Sequence, residues 1–388
     1  MPPTRTMTSS ELPEPMSGEE RTSYLALSLL PGIGSERLRS LLAACGSAGG
    51  ALAAPFAFLK AIPGIGSGLA AAIRNLSTAE ATRVEQSAGA LGAVILLPGD
   101  PDYPVSLLEL EDRPAVLFAL GDRGLLHRPA VAIVGSRDHS RYGGEVAGMV
   151  AAQAAVAGLV VVSGMARGLD AIAHEGALQA GGRTIGVLGN GHGVVYPVAN
   201  RRLYEAVMAH GLLVTEFPPG ERPNAGSFPR RNRIISGLAR ATCVVEAAAG
   251  SGALITAHTA LEQNRDVFAV PGPITSPVSV GTNRLIREGA FPLLEMSDLL
   301  CRYPELTPQA VLTEAPDRSL PSAQVRLLAA LRSGPRAADE LARRTGVSGG
   351  ELLALLGGME IAGLIRQEAG MRFAIVNPGF AAARPGTV

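Results

Sequence analysis

From about residue 95 onward, short apolar β-rich runs alternate with helical stretches, and this pattern constrains the fold more than any other feature. The runs cover residues 130–135, 159–163, 184–189, 212–217, 242–247 and 266–271. Helical stretches lie between them at 144–157, 170–179, 201–210 and 253–263. A strand apolar on both faces must be covered on both sides, and a helix after each strand supplies that cover. The pattern predicts an α/β fold with a parallel sheet and helices on both faces. Ligands of such sheets bind at the carboxyl ends of the strands, so the loops after the runs are where function is sought.

Composition narrows the function classes. The chain has 388 residues, 47% of them apolar and 18% charged, which allows a large core and two or three domains. Basic and acidic residues number 34 each. No global field then draws in nucleic acid or an anionic membrane, and any anion binding must come from local clusters. Cys45, Cys243 and Cys301 are odd in number and far apart. They exclude a disulfide framework or a four-cysteine zinc site and fit a reducing, cytoplasmic setting. The histidines are scattered, with no H-E-x-x-H or C-x-x-C, so no metal or cofactor is expected. Residues 1–20 carry Pro, Ser, Thr and Glu without an apolar core, which predicts a disordered tail and no signal peptide. Stretches 41–59 and 146–166 lack charge. Gly46, Gly49, Gly50 and Pro55 break the first, and Gly158 breaks the second before the run Val160–Val162. The second reads as helix, turn and buried strand, so no membrane span is predicted.

The flanks read as separate modules. Residues 21–96 are Ala/Leu-rich and contain a repeat. Leu30-Pro31-Gly32-Ile33-Gly34 and Ile62-Pro63-Gly64-Ile65-Gly66 each open a helical stretch, the pattern of helix-hairpin-helix modules. Such glycines free backbone N–H groups to face a phosphate, although a tight turn between packed helices needs the same residues. The core domain is expected over 97–305, followed by a Pro-rich linker at 306–321 and a module at 322–388. In that module helical stretches at 323–331, 338–345 and 348–361 precede strand-like runs at 364–368 and 372–376, which is winged-helix order. The third helix carries Glu351 and Glu360 but no Lys or Arg, pointing to a protein-contact role rather than to reading a DNA groove.

Several loops of the core could carry chemistry. Val134-Gly135-Ser136-Arg137 follows the first run and is neither G-x-G-x-x-G nor a Walker loop. A flexible Gly, a hydroxyl and a guanidinium suit one phosphate. The loop Ser163–Asp170 carries two glycines and Arg167 before a helix, a second anion nest. Ser163 needs a base in reach to act as a nucleophile; Asp170 and His174 lie one turn apart and could pair, but a helix cap plus a packed histidine is the favoured reading. Residues Gly189–Gly193 read as a turn that brings backbone against a neighbouring loop. Gly250-Ser251-Gly252 opens a helix and makes a third anion site.

The most informative segment is 224–240, read as a basic loop. It holds Arg230, Arg231, Arg233 and Arg240, no acidic residue, and Phe228 in the string Phe228-Pro229-Arg230-Arg231-Asn232-Arg233. In a neutral chain with 4% aromatics, arginines beside a ring suit single-stranded nucleic acid, phosphates to the cations and a base to the ring face. A buried Phe228 with the arginines on a solvated face is the competing reading. Glu216 and Glu246 at strand ends are candidates to hold these arginines.

These strings resemble the DNA-processing protein A family (DprA, also called Smf). The resemblance is carried by Val134–Arg137, Ser163–His174, Tyr196-Pro197 with Asn200, Glu216 with Pro218-Pro219-Gly220, 228–238, Val244-Val245-Glu246, 251–257, 266–272 and Gly281-Thr282-Asn283. It covers roughly 130–290, and the helical front and winged-helix tail resemble the family's variable ends. It implies an extended Rossmann-like domain with a SAM-like helical front and no catalysis. It further implies a dimer that binds single-stranded DNA, relieves the block imposed by single-strand-binding protein and loads the RecA recombinase during natural transformation. Carried over, Ser136, Arg137, Arg167, Phe228, Arg231, Asn232, Arg233 and Ser251 line the DNA pocket. Family members often place a lysine three residues before the stacking Phe; this chain has Ala225, leaving Arg230 as the substitute. His192 also departs from the residues common at its position. A nucleotide hydrolase of the related class that cleaves nucleoside monophosphates is the rival, but its P-G-G-x-G-T is replaced here by Ala249-Gly250-Ser251-Gly252. A scaffold acting through its two end modules is the third reading.

Overall fold

The computed structural model describes Met16 and residues 18–306, 322–331, 334–361, 364–368 and 371–375. The expected linker therefore lies almost wholly outside the described residues. Chain contacts divide the protein into two units, Met1–Thr307 and Pro308–Val388.

The first unit is built on nine strands: β1 (Val94–Leu96), β2 (Leu117–Gly121), β3 (Ala130–Val134), β4 (Val160–Ser163), β5 (Thr184–Val187), β6 (Leu212–Thr215), β7 (Ala241–Val244), β8 (Asp266–Ala269) and β9 (Phe291–Pro292). Their order is β1-β2-β6-β5-β4-β3-β7-β8-β9. From β6 through β9 every neighbouring pair is parallel, while β1–β2 and β2–β6 are antiparallel. The chain starts the parallel part at β3, walks outward through β4 and β5 to β6, then returns to the other flank of β3 as β7. This reversal opens a crevice between the carboxyl ends of β3 and β7, where open α/β sheets hold ligands.

Strands β3 to β7 are buried on both faces, as the continuous apolar runs require, β8 is nearly so, and the two-residue edge strand β9 is exposed. Along β3, Ala130, Ala132 and Val134 enter the core on one side, and Val131 and Ile133 enter the core on the other. The charge-free stretch 146–166 is the end of the helix Arg141–Val156, a turn at Gly158 with φ +92° and β4. Among the described residues no helix is long and apolar enough to cross a membrane.

At the amino end, helices Ser35–Cys45 and Ser67–Arg74 begin directly after the two Pro-Gly-apolar-Gly strings. Gly32 and Gly64 have φ of +89° and +82°, which a side chain would strain, and the buried Ile33 and Ile65 anchor the turns. Two boundaries differ from the sequence reading. The first helix starts at Gly18, inside the stretch assigned to the tail. A cut at 96/97 would fall at the end of β1, and Leu97, Val116 and Phe118 share the core of the front helices. The helical front is thus fused to the sheet through β1 and β2, which the sequence reading did not place.

The second unit has helices Ser322–Leu331, Ala338–Thr345 and Gly349–Ile361 and strands β10 (Arg336–Ala337), β11 (Ile365–Glu368) and β12 (Arg372–Ile375) in the order β10-β12-β11. The short β10 was not foreseen; it completes a three-stranded wing over a core of its own centred on Leu327, Leu341, Leu356 and Phe373.

Candidate nucleic-acid interface

A cleft of about 720 Å³ occupies the crevice at the carboxyl ends of β3 and β7. One wall is the loop after β3, with Gly135, Ser136, Arg137 and Asp138; the opposite wall is Ala248, Gly250, Ser251, Gly252, Ala253, Ile255 and Thr256 after β7. The helix Ser227–Gly237 closes it, presenting Phe228, Arg231, Asn232 and Ile235.

That helix replaces the expected basic loop. Asn224 starts it, its Oδ1 accepting the backbone N–H groups of Gly226 and Ser227 at 2.9 and 3.0 Å. Pro229 falls in the first turn, where a missing N–H costs little. Helical spacing then sorts the segment onto faces. Phe228, Arg231, Asn232 and Ile235 face the cleft, while Arg230 and Arg233 turn toward β6. There Glu216, buried at the strand end, accepts from Arg230 at 2.9 Å and from Arg233 at 2.6 Å. Arg230 also lies over the Phe217 ring at 5.2 Å, and Arg233 reaches Asp112 at 3.5 Å. Arg230 and Arg233 are therefore not among the residues that line the cleft, and the guanidinium of Arg230, the expected substitute for the lysine missing at Ala225, is paired with Glu216. Arg240 is further off still, paired with Glu305 at 2.7 Å.

Phe228 is half-buried, with its ring inside the cleft rather than in the core. Arg137 places its Cζ 5.5 Å from the ring centroid, and the exposed Tyr196 places its own ring 5.6 Å away at a 35° tilt. The ring fits because Gly189 has no side chain: a Cβ there would stand 2.9 Å from the Phe228 ring. Tyr196 was quoted in the resemblance but given no role. A tyrosine beside Pro197 in a chain this poor in aromatics was the signal available.

Arg231 is buried and differs in kind from Arg137. Its guanidinium donates to the carbonyls of Gly164 and Val187, and its Nε donates to Asn232 Oδ1 at 3.2 Å. It faces the buried Asp170 across Gly164, where a Cβ would come within 2.7 Å of both groups. Burial pushes the Asp170 carboxyl up and the Arg231 guanidinium down, and each opposes the other's shift by its charge. Asn232 Nδ2 reaches the Gly252 carbonyl at 3.5 Å and ties this helix to the wall after β7.

The three expected anion sites fare differently. The Ser163–Asp170 loop is already filled. Asp170 accepts the Gly164 N–H at 3.1 Å, and the Ser136 carbonyl accepts the Leu169 N–H at 3.2 Å. Arg167 stands exposed at the rim, 3.1 Å from Asp138. The Ser136 hydroxyl donates to the Asp138 carbonyl at 2.6 Å, which fixes the turn that holds Arg137 out; no carboxylate pairs with Arg137 among the described residues. The Ser251 site is open. Its Oγ accepts the Ala253 N–H at 3.3 Å, and the positive end of the helix Gly252–Glu262 faces the cleft. The cleft thus offers one free guanidinium, a ring flanked by a second ring, and one open helix start.

Residues considered for nucleophilic chemistry are otherwise engaged. The Ser163 hydroxyl donates to the Ile133 carbonyl at 2.6 Å. His174 does not pair with Asp170; its Nδ1 donates to Thr184 Oγ1 at 2.6 Å, and burial lowers its pKa to about 3. Glu246 holds no arginine: it accepts from the Ser140 N–H and hydroxyl and anchors the helix Arg141–Val156. The turn at Gly189–Gly193 meets a neighbouring loop as expected, with Gly191 N–H donating to Glu221 O at 2.9 Å. His192 is buried there, its Nε2 donating to the Phe118 carbonyl of β2 at 2.9 Å, a structural reason for a histidine.

A parallel sheet with a polar and aromatic cleft at its reversal point defines a Rossmann-like ligand-binding protein. Comparison with known proteins sharpens this. The family described as DNA recombination-mediator protein A matches residues 94–304, and the DprA winged helix domain matches 311–371. Protein Smf of Synechocystis sp. is 38% identical over 317 residues, 72% of this chain and 79% of that one. DNA processing protein DprA of Streptococcus pneumoniae is 46% identical over 204 residues, 53% of this chain and 72% of that one. Its X-ray structure matches with a TM-score of 0.64 at 34% identity, covering 74% of this chain and 98% of that one. DNA processing protein A of Helicobacter pylori, solved to describe its single-stranded DNA binding mode, matches with a TM-score of 0.50 at 29% identity over 55% of this chain and 96% of that one. The chain belongs to the DprA/Smf family.

Proposed function

We propose that this protein binds single-stranded DNA in the β3/β7 cleft and loads the RecA recombinase onto it during natural transformation, acting as a cytoplasmic homodimer without catalysis. The observation that carries the reading is the Phe228 ring held open in the cleft between Tyr196 and the unpaired Arg137, opposite the free start of the Gly252–Glu262 helix. A ring face takes a base, and a guanidinium and a helix start take the flanking phosphates. The binding described for the Helicobacter pylori relative supports the same ligand, and family membership supports the recombinase as partner. Because Arg137 and the helix start are the free cationic groups among the described residues lining the cleft, the salt dependence corresponds to one or two phosphates per protomer, roughly 0.7 in log affinity per log salt for each. The nucleotide-hydrolase reading lacks a positioned base, since Asp170 and His174 are both committed to their own loops.

Fluorescence anisotropy with oligothymidylate and duplex oligomers over a salt series tests this on the whole chain. The single strand is expected to bind with the shallow slope above and to outcompete the duplex. Equal affinity for both, or release of phosphoribose from a nucleoside monophosphate, contradicts the reading.

A further inference from the structure

We propose that a second, smaller cavity beside the cleft takes the base of the next nucleotide along the strand; this rests on the reading of the cleft as a single-strand site. The cavity has a volume of about 260 Å³, with apolar walls from Leu254, Ile255 and Leu285 and with His258 and Arg284 at its edge. Gly250, Ser251 and Ile255 line both it and the large cleft, so the two are continuous across one ridge of backbone.

The ridge itself points to a ligand. Gly250 and Gly252 are exposed, neither has a left-handed φ, and a Cβ built on either meets no atom within 4 Å. Neither the turn nor the packing of the chain calls for glycine, and Gly252 opens a helix that alanine would favour. What a side chain would obstruct there is the outer approach to the backbone, the usual reason for glycine beside a phosphate. A phosphate on the Ser251 helix start leaves the base on one side over Phe228 and directs the next base over the ridge into the apolar cavity. Arg284, exposed and paired with Glu288 at 2.7 Å, then borders the second nucleotide.

The test uses the whole chain and labelled oligothymidylates in which one abasic spacer is moved along the strand, read by anisotropy. The wild type is expected to show two adjacent positions at which the spacer lowers affinity, each by roughly tenfold. Ala249→Leu, which narrows the small cavity from a residue outside the large cleft, should abolish only the second. Gly252→Ala should weaken binding while leaving the thermal midpoint unchanged or higher, a combination a purely structural glycine does not give. A single sensitive position in the wild type, or an Ala249→Leu protein that keeps both, overturns the second site and leaves the cleft reading intact. Wild-type protein that binds no oligomer at any length overturns both.

Discussion

In the proposed site Phe228 would supply stacking and Arg137 charge, and their variants are expected to separate the two. Phe228→Ala should lower oligothymidylate affinity about tenfold, within the ~1–3 kcal/mol of one stacked base, with the salt slope unchanged. Arg137→Ala should lower both affinity and slope, the latter by ~0.7. Arg233 makes the contrasting case. Its loss leaves Glu216 buried with the more exposed Arg230 as its remaining partner, so Arg233→Ala should cost about 1–3 kcal/mol in urea unfolding and leave the slope of the surviving folded protein as it was. The sequence showed the arginines and the ring as a cluster but not this partition. Only knowing that 227–237 is helical puts residues 228, 231 and 232 on one face and 230 and 233 on another.

Two histidines give a pH dependence of definite sign. An unfolded histidine takes its proton near pH 6.5, whereas burial keeps His174 neutral down to about 3 and shifts His192 the same way. Below pH 6.5 the unfolded chain therefore binds protons the folded one refuses. The contribution of these residues to stability is full above that pH and is lost on acidification, for His174 by about 1.4 kcal/mol per pH unit between pH 6.5 and about 3, and for His192 in the same direction. In an NMR titration the His174 imidazole signals should stay flat from pH 8 to 5, and those of His192 should move only below the pH range of a free histidine. Movement of either with a midpoint near 6.5 contradicts their burial.

At the scale of elements, the apolar runs and intervening helices were legible because strands covered on both faces carry no polar alternation to confuse them. The reversal between β3 and β7 was not legible, since strand order is decided by long-range pairing that leaves no local mark. The cleft could thus be assigned to the carboxyl rim but not to one pair of strands. The antiparallel β1 and β2 were missed because they are short and follow a helical module whose core they share. Where elements meet, glycines set the approach. Gly189→Ala places a Cβ 2.9 Å from the Phe228 ring and must displace it. The variant should bind oligothymidylate several-fold more weakly with an unchanged salt slope, as Phe228→Ala does but to a smaller degree.

At the scale of the whole molecule, each unit has a hydrophobic core of its own, and the candidate site lies entirely in the first. Deleting residues 308–388 should leave oligothymidylate affinity within about twofold, checked by the same anisotropy titration. The winged-helix unit would then serve partner contact, in keeping with the acidic character of its third helix. The measurement that bears most directly on the central claim is photocross-linking of the full chain to an oligomer carrying 5-iodouracil, with the adducts mapped by mass spectrometry. A strand held at the β3/β7 rim should label the peptides containing Tyr196 and Phe228. Adducts confined to the front hairpins or to the winged-helix unit, with these aromatics unlabelled, would contradict the account.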